Sequence, residues 1–194
     1  ITEAVSRGAD ILMLPMFSAA KEVELFVKQV DKRATTNLLL ETPQALVRID
    51  EILEVEGIDE IHIGLNDLHL GMGLGFMFEL LSGGIIDYLS EKIKPKGIRF
   101  GFGGVARIGQ GTLPADMILA EHYRLGSEMV ILSRDFHGRA TSLEELRSNP
   151  NLSEEVRKIR ELERRLETTE DEWFNGNQRR VRGIVKSIVA HKEN

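Results

Sequence analysis

Two acids stand at the ends of apolar runs. Glu41 follows Asn37-Leu38-Leu39-Leu40 and precedes Thr42-Pro43, and Asp67 follows Ile58-Asp59-Glu60-Ile61-His62-Ile63-Gly64-Leu65-Asn66. The first pattern predicts a buried strand, then Thr42 as a helix N-cap with Pro43 at the first helical position. The second predicts a strand ending in a glycine-containing turn. In a βαβ unit, acids so placed project from the carboxyl ends of neighbouring parallel strands, where α/β barrels build their sites. Two carboxylates converging there repel each other unless something positive lies between them, and a hard divalent cation is the usual answer.

Each of these residues also has a plainer reading. Glu41 alone is a strand-end acid that could cap the following helix. Asp67 alone is ordinary turn chemistry, since Asn-Asp is common in turns. Asn66 reads as structural, bonding the turn, more readily than as a ligand. His62 alternates with Ile61 and Ile63 and reads as a packed strand histidine. His69 lies on the site side of the turn and is a weak candidate for acid–base work. His122 and His137 have no companions at metal-binding spacing. Gly101-Phe102-Gly103-Gly104-Val105 ends an apolar run, either as a tight turn that needs glycine or as an anion site built from backbone N–H groups. Arg107 reads as a surface residue or an anion contact. Arg134, in Ser133-Arg134-Asp135, reads as a residue at the barrel mouth or as half of an ion pair.

The elements that position these residues alternate regularly. Thr2 to Arg7 reads as the tail of a helix stopped by Gly8, so the chain opens inside an element, at an isoleucine. Strands are expected at Ile11 to Met16, Leu38 to Glu41, Ile58 to Ile63, Ile98 to Phe102 and Met129 to Leu132. Helices are expected at Ala19 to Val30, Pro43 to Val55, Met77 to Ile93 and Pro114 to Leu125. Five strands separated by helices, with no hairpin signal, predict a parallel sheet with right-handed crossovers. An open doubly wound sheet is the other arrangement, but no Gly-x-Gly-x-x-Gly leads from a strand into a helix. The expectation is a (β/α)8 barrel over residues 1–140, of which about five strands are present and three βα units precede Ile1. Residues 141–194 form a helical extension: Leu143 to Arg147, a break near Pro150, then Ser153 to Leu166 and Trp173 to Ala190. The last carries a stripe of Val181, Ile184, Val185 and Ile188 that must dock on the barrel or on a neighbouring subunit. A homo-oligomer is the expectation.

Composition narrows the function classes. The 194 residues are 42% hydrophobic and 29% charged, with a net charge of −6. That balance gives no electrostatic case for nucleic acid. The absence of cysteine removes disulfides, thiolate metal sites and cysteine nucleophiles. No apolar run approaches the about 20 residues that span a bilayer, and no signal peptide opens the chain. A cytoplasmic protein with no membrane partner is expected.

Ala9-Asp10-Ile11-Leu12-Met13-Leu14-Pro15-Met16, Glu41-Thr42-Pro43 and Ile63-Gly64-Leu65-Asn66-Asp67-Leu68 resemble, in this order, the pyruvate and phosphoenolpyruvate barrel superfamily. The resemblance is closest to its HpcH/HpaI aldolase and citrate lyase branch, whose ligand spacing is similar to that between Glu41 and Asp67. It covers Gly8 to Phe136, the last five βα units of such a barrel. It implies a Mg²⁺ or Mn²⁺ ion held by Glu41 and Asp67, and a 2-oxo acid substrate whose carboxylate meets the backbone at Asn66 and Asp67. Gly64 would allow close approach. A metal across keto and carboxylate oxygens stabilises an enolate, which is what carbon–carbon lyase and aldolase chemistry needs. The arginine and the histidine or acid of that branch would lie upstream of Ile1. The phosphotransferase branch places a cysteine near the turn at Gly101 to Val105, and this chain has none. The rival expectation is a noncatalytic or incomplete barrel that serves as a binding or assembly module.

Overall fold

The computed structural model describes residues 1–137, 140–148 and 152–192. They divide into two compact units: Ile1–Gly103 with Ser127–Met129, and Gly104–Gly126 with the residues from Val130 onward.

The first unit opens with α1 (Thr2–Ser6), β1 (Ile11–Leu14), α2 (Ala20–Val30) and β2 (Thr35–Leu40). Glu22 starts α2 by accepting hydrogen bonds from the Ser18 and Ala19 N–H groups at 2.7 and 2.9 Å. Those N–H groups have no helical partner of their own. After β2 come α3 (Pro43–Val47), α4 (Ile49–Ile52), β3 (Glu60–Ile63), α5 (Leu65–Gly71), α6 (Glu79–Ser82) and α7 (Ile85–Ile93). A 3₁₀ turn (Lys94–Lys96) leads into β4 (Arg99–Val105).

Several boundaries differ from the sequence expectation, for identifiable reasons. The helix expected at Met77 to Ile93 is two, because Gly84 takes a left-handed φ of 84° at the start of α7. The helix expected at Pro43 to Val55 breaks at Arg48, although its buried face of Ala45, Ile49, Ile52 and Leu53 survives the break. β3 begins only at Glu60 because the Asp59 carboxylate is engaged sideways, accepting from the Thr36 N–H at 2.8 Å. β4 runs through Gly103 and Gly104 to Val105, so these glycines lie within a strand and not in a turn.

The sheet order is β1-β2-β3-β4-β5, with β5 at Met129–Leu132. The first three pairings are parallel. The β4–β5 hydrogen bonds advance in the same sense, from Glu128 N–H to the Phe100 carbonyl and from Ser133 N–H to the Val105 carbonyl. These five parallel strands, interleaved with helices, are the arrangement of a partial (β/α)8 barrel. Alternation along the strands sorts their side chains into two faces. Leu38, Leu40, Ile61, Ile63, Phe100 and Phe102 form one face, all fully buried. The other face stacks in rows set by register: Asn37 beside Glu60 beside Arg99, then Leu39 beside His62 beside Gly101. One step further, past the strand ends, come Glu41 and Gly64.

The second unit holds α8 (Ala115–Leu125), a 3₁₀ turn (Arg134–His137), α9 (Leu143–Ser148), α10 (Leu152–Leu166) and α11 (Asp171–Lys192). The break expected near Pro150 lies outside the described residues. Both α10 and α11 pack on α8. Its core gathers Val105, Leu119, Phe136, Ile159, Leu162 and Phe174. From the predicted stripe, Val181 and Val185 are buried within this unit.

Candidate active site

Glu41 lies one residue beyond β2 and is only 6% exposed. Its Oε1 accepts a hydrogen bond from the Met16 N–H at 3.1 Å. Thr42 does what its position predicts. Its Oγ1 accepts from the Ala45 N–H at 3.1 Å to cap α3, and it also donates to the Phe17 carbonyl at 2.7 Å. Arg48 donates to the Ser18 carbonyl at 3.1 Å. The loop after β1 is thus tied at three successive residues, twice to Glu41 and Thr42 past β2 and once to Arg48 at the end of α3.

Gly64 sits against Glu41 because the β2–β3 ladder continues past the strand ends, through the Gly64 N–H to the Leu40 carbonyl at 2.9 Å. A Cβ at Gly64 would come within 2.8 Å of the Glu41 Cβ and 2.9 Å of its Oε2. The space that a Cβ at Gly64 would take is therefore filled by Glu41.

Asn66 and Asp67 are exposed, and they lie in the first turn of a helix, not in an open turn. The missed helix had a signal: Leu65, Leu68 and Met72 recur at helical spacing, and Leu65 and Leu68 are buried. Asp67 lies near enough to the Glu41 carboxyl for its charge to act on it. Burial raises the Glu41 pKa above its ordinary value, the Met16 N–H opposes that, and the charge and hydrogen-bonding of Asp67 raise it further. Neither acid is ion-paired with a cation among the described residues; Glu41 accepts from the Met16 N–H at 3.1 Å and Asp67 from the Asn66 side-chain amide at 3.5 Å. No third His, Asp or Glu joins them there as a metal-binding group among the described residues. Two carboxylate donors suit an ion such as Mg²⁺, which takes one or two carboxylates and completes an octahedron with water and substrate oxygens.

The histidines have structural partners. His62 is 2% exposed, and its Nε2–H donates to the Gly103 carbonyl at 2.9 Å, as a packed strand histidine should. His69 is buried, and its Nδ1–H donates to the Leu65 carbonyl one turn back at 3.1 Å, which leaves Nε2 as its acceptor. Gly101 is required by packing, since a Cβ there would overlap the Met129 carbonyl oxygen. In the second unit, Arg107 donates to the Phe136 carbonyl at 2.9 Å, and Arg134 is exposed. Sequence reasoning gave Met16 no part in the site beyond ending the first strand and the first motif. Its part is played by the main chain, which leaves no mark in residue type.

Residues 1–76 match the family model of HpcH/HpaI aldolase/citrate lyase. A curated relative, the hydroxypyruvate/pyruvate aldolase of Rhizorhabdus wittichii, is 31% identical over 90 residues, covering 43% of this chain and 36% of that protein. The chain thus spans about a third of the length of that relative. Among solved structures, the HpcH/HpaI aldolase from Desulfitobacterium hafniense DCB-2 superposes with a TM-score of 0.53 at 18% identity, over 66% of this chain and 59% of that one. The citrate lyase beta subunit from M. tuberculosis, complexed with oxaloacetate and magnesium, gives 0.53 at 14% identity, over 76% and 65%. At such identities the likeness establishes the fold. Both acid motifs fall inside the segment, residues 1–76, that matches the HpcH/HpaI aldolase/citrate lyase family model.

Proposed function

We propose that this chain supplies the metal-binding end of a carbon–carbon lyase or aldolase acting on a pyruvate- or oxaloacetate-type 2-oxo acid, or on an acyl-CoA analogue. The carrying observation is the buried Glu41 carboxylate one residue past β2, with the Asp67 charge acting on it from the first turn of α5 and no cation of the described residues ion-paired with either. The relative's activity toward pyruvate, and the oxaloacetate and magnesium in the citrate lyase beta subunit, support the substrate class and the metal.

Glu41 and Asp67 would hold Mg²⁺ or Mn²⁺, which when bound supplies Lewis acidity toward the two oxygens of a 2-oxo acid. The chain's own groups do the rest. The Met16 N–H and Gly64 fix where the Glu41 carboxylate sits. The N–H groups of Asn66 and Asp67 precede the first bond within α5, from Leu68 N–H to the Gly64 carbonyl at 3.1 Å, have no main-chain acceptor among the described residues, and would take the substrate carboxylate. His69, through Nε2, is the candidate within this chain for moving a proton, a contribution typically worth about 10²–10⁴-fold in rate.

Titration calorimetry with Mn²⁺ tests the assignment. Glu41→Ala and Asp67→Ala should each abolish measurable binding. Parental affinity in both variants would overturn the proposal.

A further inference from the structure

The two oxygens of Glu41 differ in their surroundings. Oε1 is taken by the Met16 N–H at 3.1 Å, whereas Oε2 lies on the Gly64 side, 2.9 Å from where a Cβ would be. Met16 itself has a φ of 53°, a left-handed conformation that disfavours any residue with a Cβ. Among the described residues the other non-glycine cases are Asp31 and Lys32, in the turn that ends α2. Met16 ends no helix.

Its conformation is held from outside. Phe17 is 2% exposed and its carbonyl accepts from Thr42, the Ser18 carbonyl accepts from Arg48, and Glu22 binds the Ser18 and Ala19 N–H groups. Backbone kept in a sparsely populated region by so many surrounding bonds is characteristic of functional sites. The Met16 side chain is not the reason, since it is 62% exposed.

We propose that Met16 is a positioning residue, whose main-chain N–H holds Glu41 so that Oε2 alone is presented to a divalent cation. This rests on the metal reading given above. One carboxylate oxygen suits the small octahedral coordination of Mg²⁺ or Mn²⁺. Ca²⁺, which is larger and draws on bidentate carboxylates, is disfavoured. The side chain at position 16 is free to change, while the N–H is not.

The experiment replaces Met16 in the full chain by its α-hydroxy analogue, so that an ester oxygen stands where the N–H was. Mn²⁺ binding is then followed by electron paramagnetic resonance. The ester variant should bind about tenfold more weakly, the loss expected for one hydrogen bond to a charged group, and its preference for Mn²⁺ over Ca²⁺ should narrow. Met16→Ala and Met16→Gly, which keep the N–H, should stay within about threefold of the parent. An ester variant with parental affinity overturns the proposal, as does an equal loss in Met16→Ala. A second measurement separates the clamp from the metal reading: the Met16 amide proton resonance should move in Glu41→Ala without any metal. If it does not move while the parent binds Mn²⁺, the clamp fails and the metal reading stands. If the parent binds no Mn²⁺, both fall.

Discussion

The Glu41 carboxylate shows how little space a site residue can have before its chemistry is set. One oxygen is bonded to a main-chain N–H, the other lies beside a glycine, and the nearest ionisable neighbour has the same sign. Gly64→Ala tests the spatial half of this. The added methyl would meet the Glu41 Cβ, an atom with little freedom, so the backbone at one strand end must shift. We expect a destabilisation of about 1–3 kcal/mol, typical of overpacking, read by urea denaturation, together with weaker Mn²⁺ binding. Unchanged values of both would show that the two strand ends are looser than they look. His62 gives a pH test. Burial holds its pKa below 6.5, only partly opposed by its bond to the Gly103 carbonyl. The unfolded chain therefore takes up a proton that the folded chain refuses. The stability due to the neutral ring is complete above about pH 6.5 and is lost as pH falls through the depressed folded value. Urea titrations of the parent and of His62→Gln across that window should show the slope in the parent and a flatter profile in the variant.

At the scale of elements, the sequence is most legible where a local rule acts alone. Thr42 caps and Pro43 starts a helix because both effects are contained within a few residues. β2 and β3 are legible because an apolar run buried on both faces has few other fates, whereas β1 and β5, which are partly exposed, are legible as short apolar runs between helices. What sequence reading misplaces are boundaries decided by partners distant in the chain. Asp59 leaves the third strand because Thr36, on the neighbouring strand, uses its carboxylate. The same Thr36 hydroxyl donates to the Gly57 carbonyl at 2.7 Å and accepts from the Asp59 N–H at 3.0 Å. Nothing within Ile58 to Ile63 announces this. The pairing makes Thr36 a fastener between β2 and the entry to β3. Thr36→Val keeps the shape and removes the hydroxyl's part-buried bonds to the Gly57 carbonyl and to the Asp59 carboxylate and N–H. A loss of about 1–3 kcal/mol is expected, whereas a neutral result by chemical denaturation would mean that water replaces the hydroxyl. The helix at Leu65–Gly71 is a different kind of miss, since its spacing was present but the Asn-Asp pair favoured a turn.

On the scale of the whole molecule, the regular alternation carries the fold because it is repeated along the chain, and the ordered pair of acid motifs carries the match of residues 1–76 to the family model. The organisation of the second unit is not repeated, and it turns on a buried polar contact. Glu121 is 1% exposed and accepts from Arg124 Nε at 2.7 Å and from Asn177 Nδ2 at 2.8 Å. Asn177, fully buried on α11, also donates to the Met117 carbonyl at 3.1 Å. A polar residue in the middle of an otherwise docking face thus fixes which turn of α11 meets which turn of α8, much as a single buried amide sets register in a helical pair. Two substitutions separate this from generic packing. Asn177→Ala removes two hydrogen bonds but also removes Oδ1, a buried acceptor without a hydrogen-bond partner among the described residues. Its cost should be about 1–3 kcal/mol. Asn177→Asp keeps the volume and sets a second buried carboxylate against Glu121, so at neutral pH it should cost more than the alanine. Because protonation of either acid relieves the repulsion, the deficit of the aspartate variant should shrink as pH falls. Urea denaturation of the two variants at neutral and acidic pH gives the comparison. An aspartate milder than alanine at neutral pH would mean that α11 is held by its apolar contacts alone.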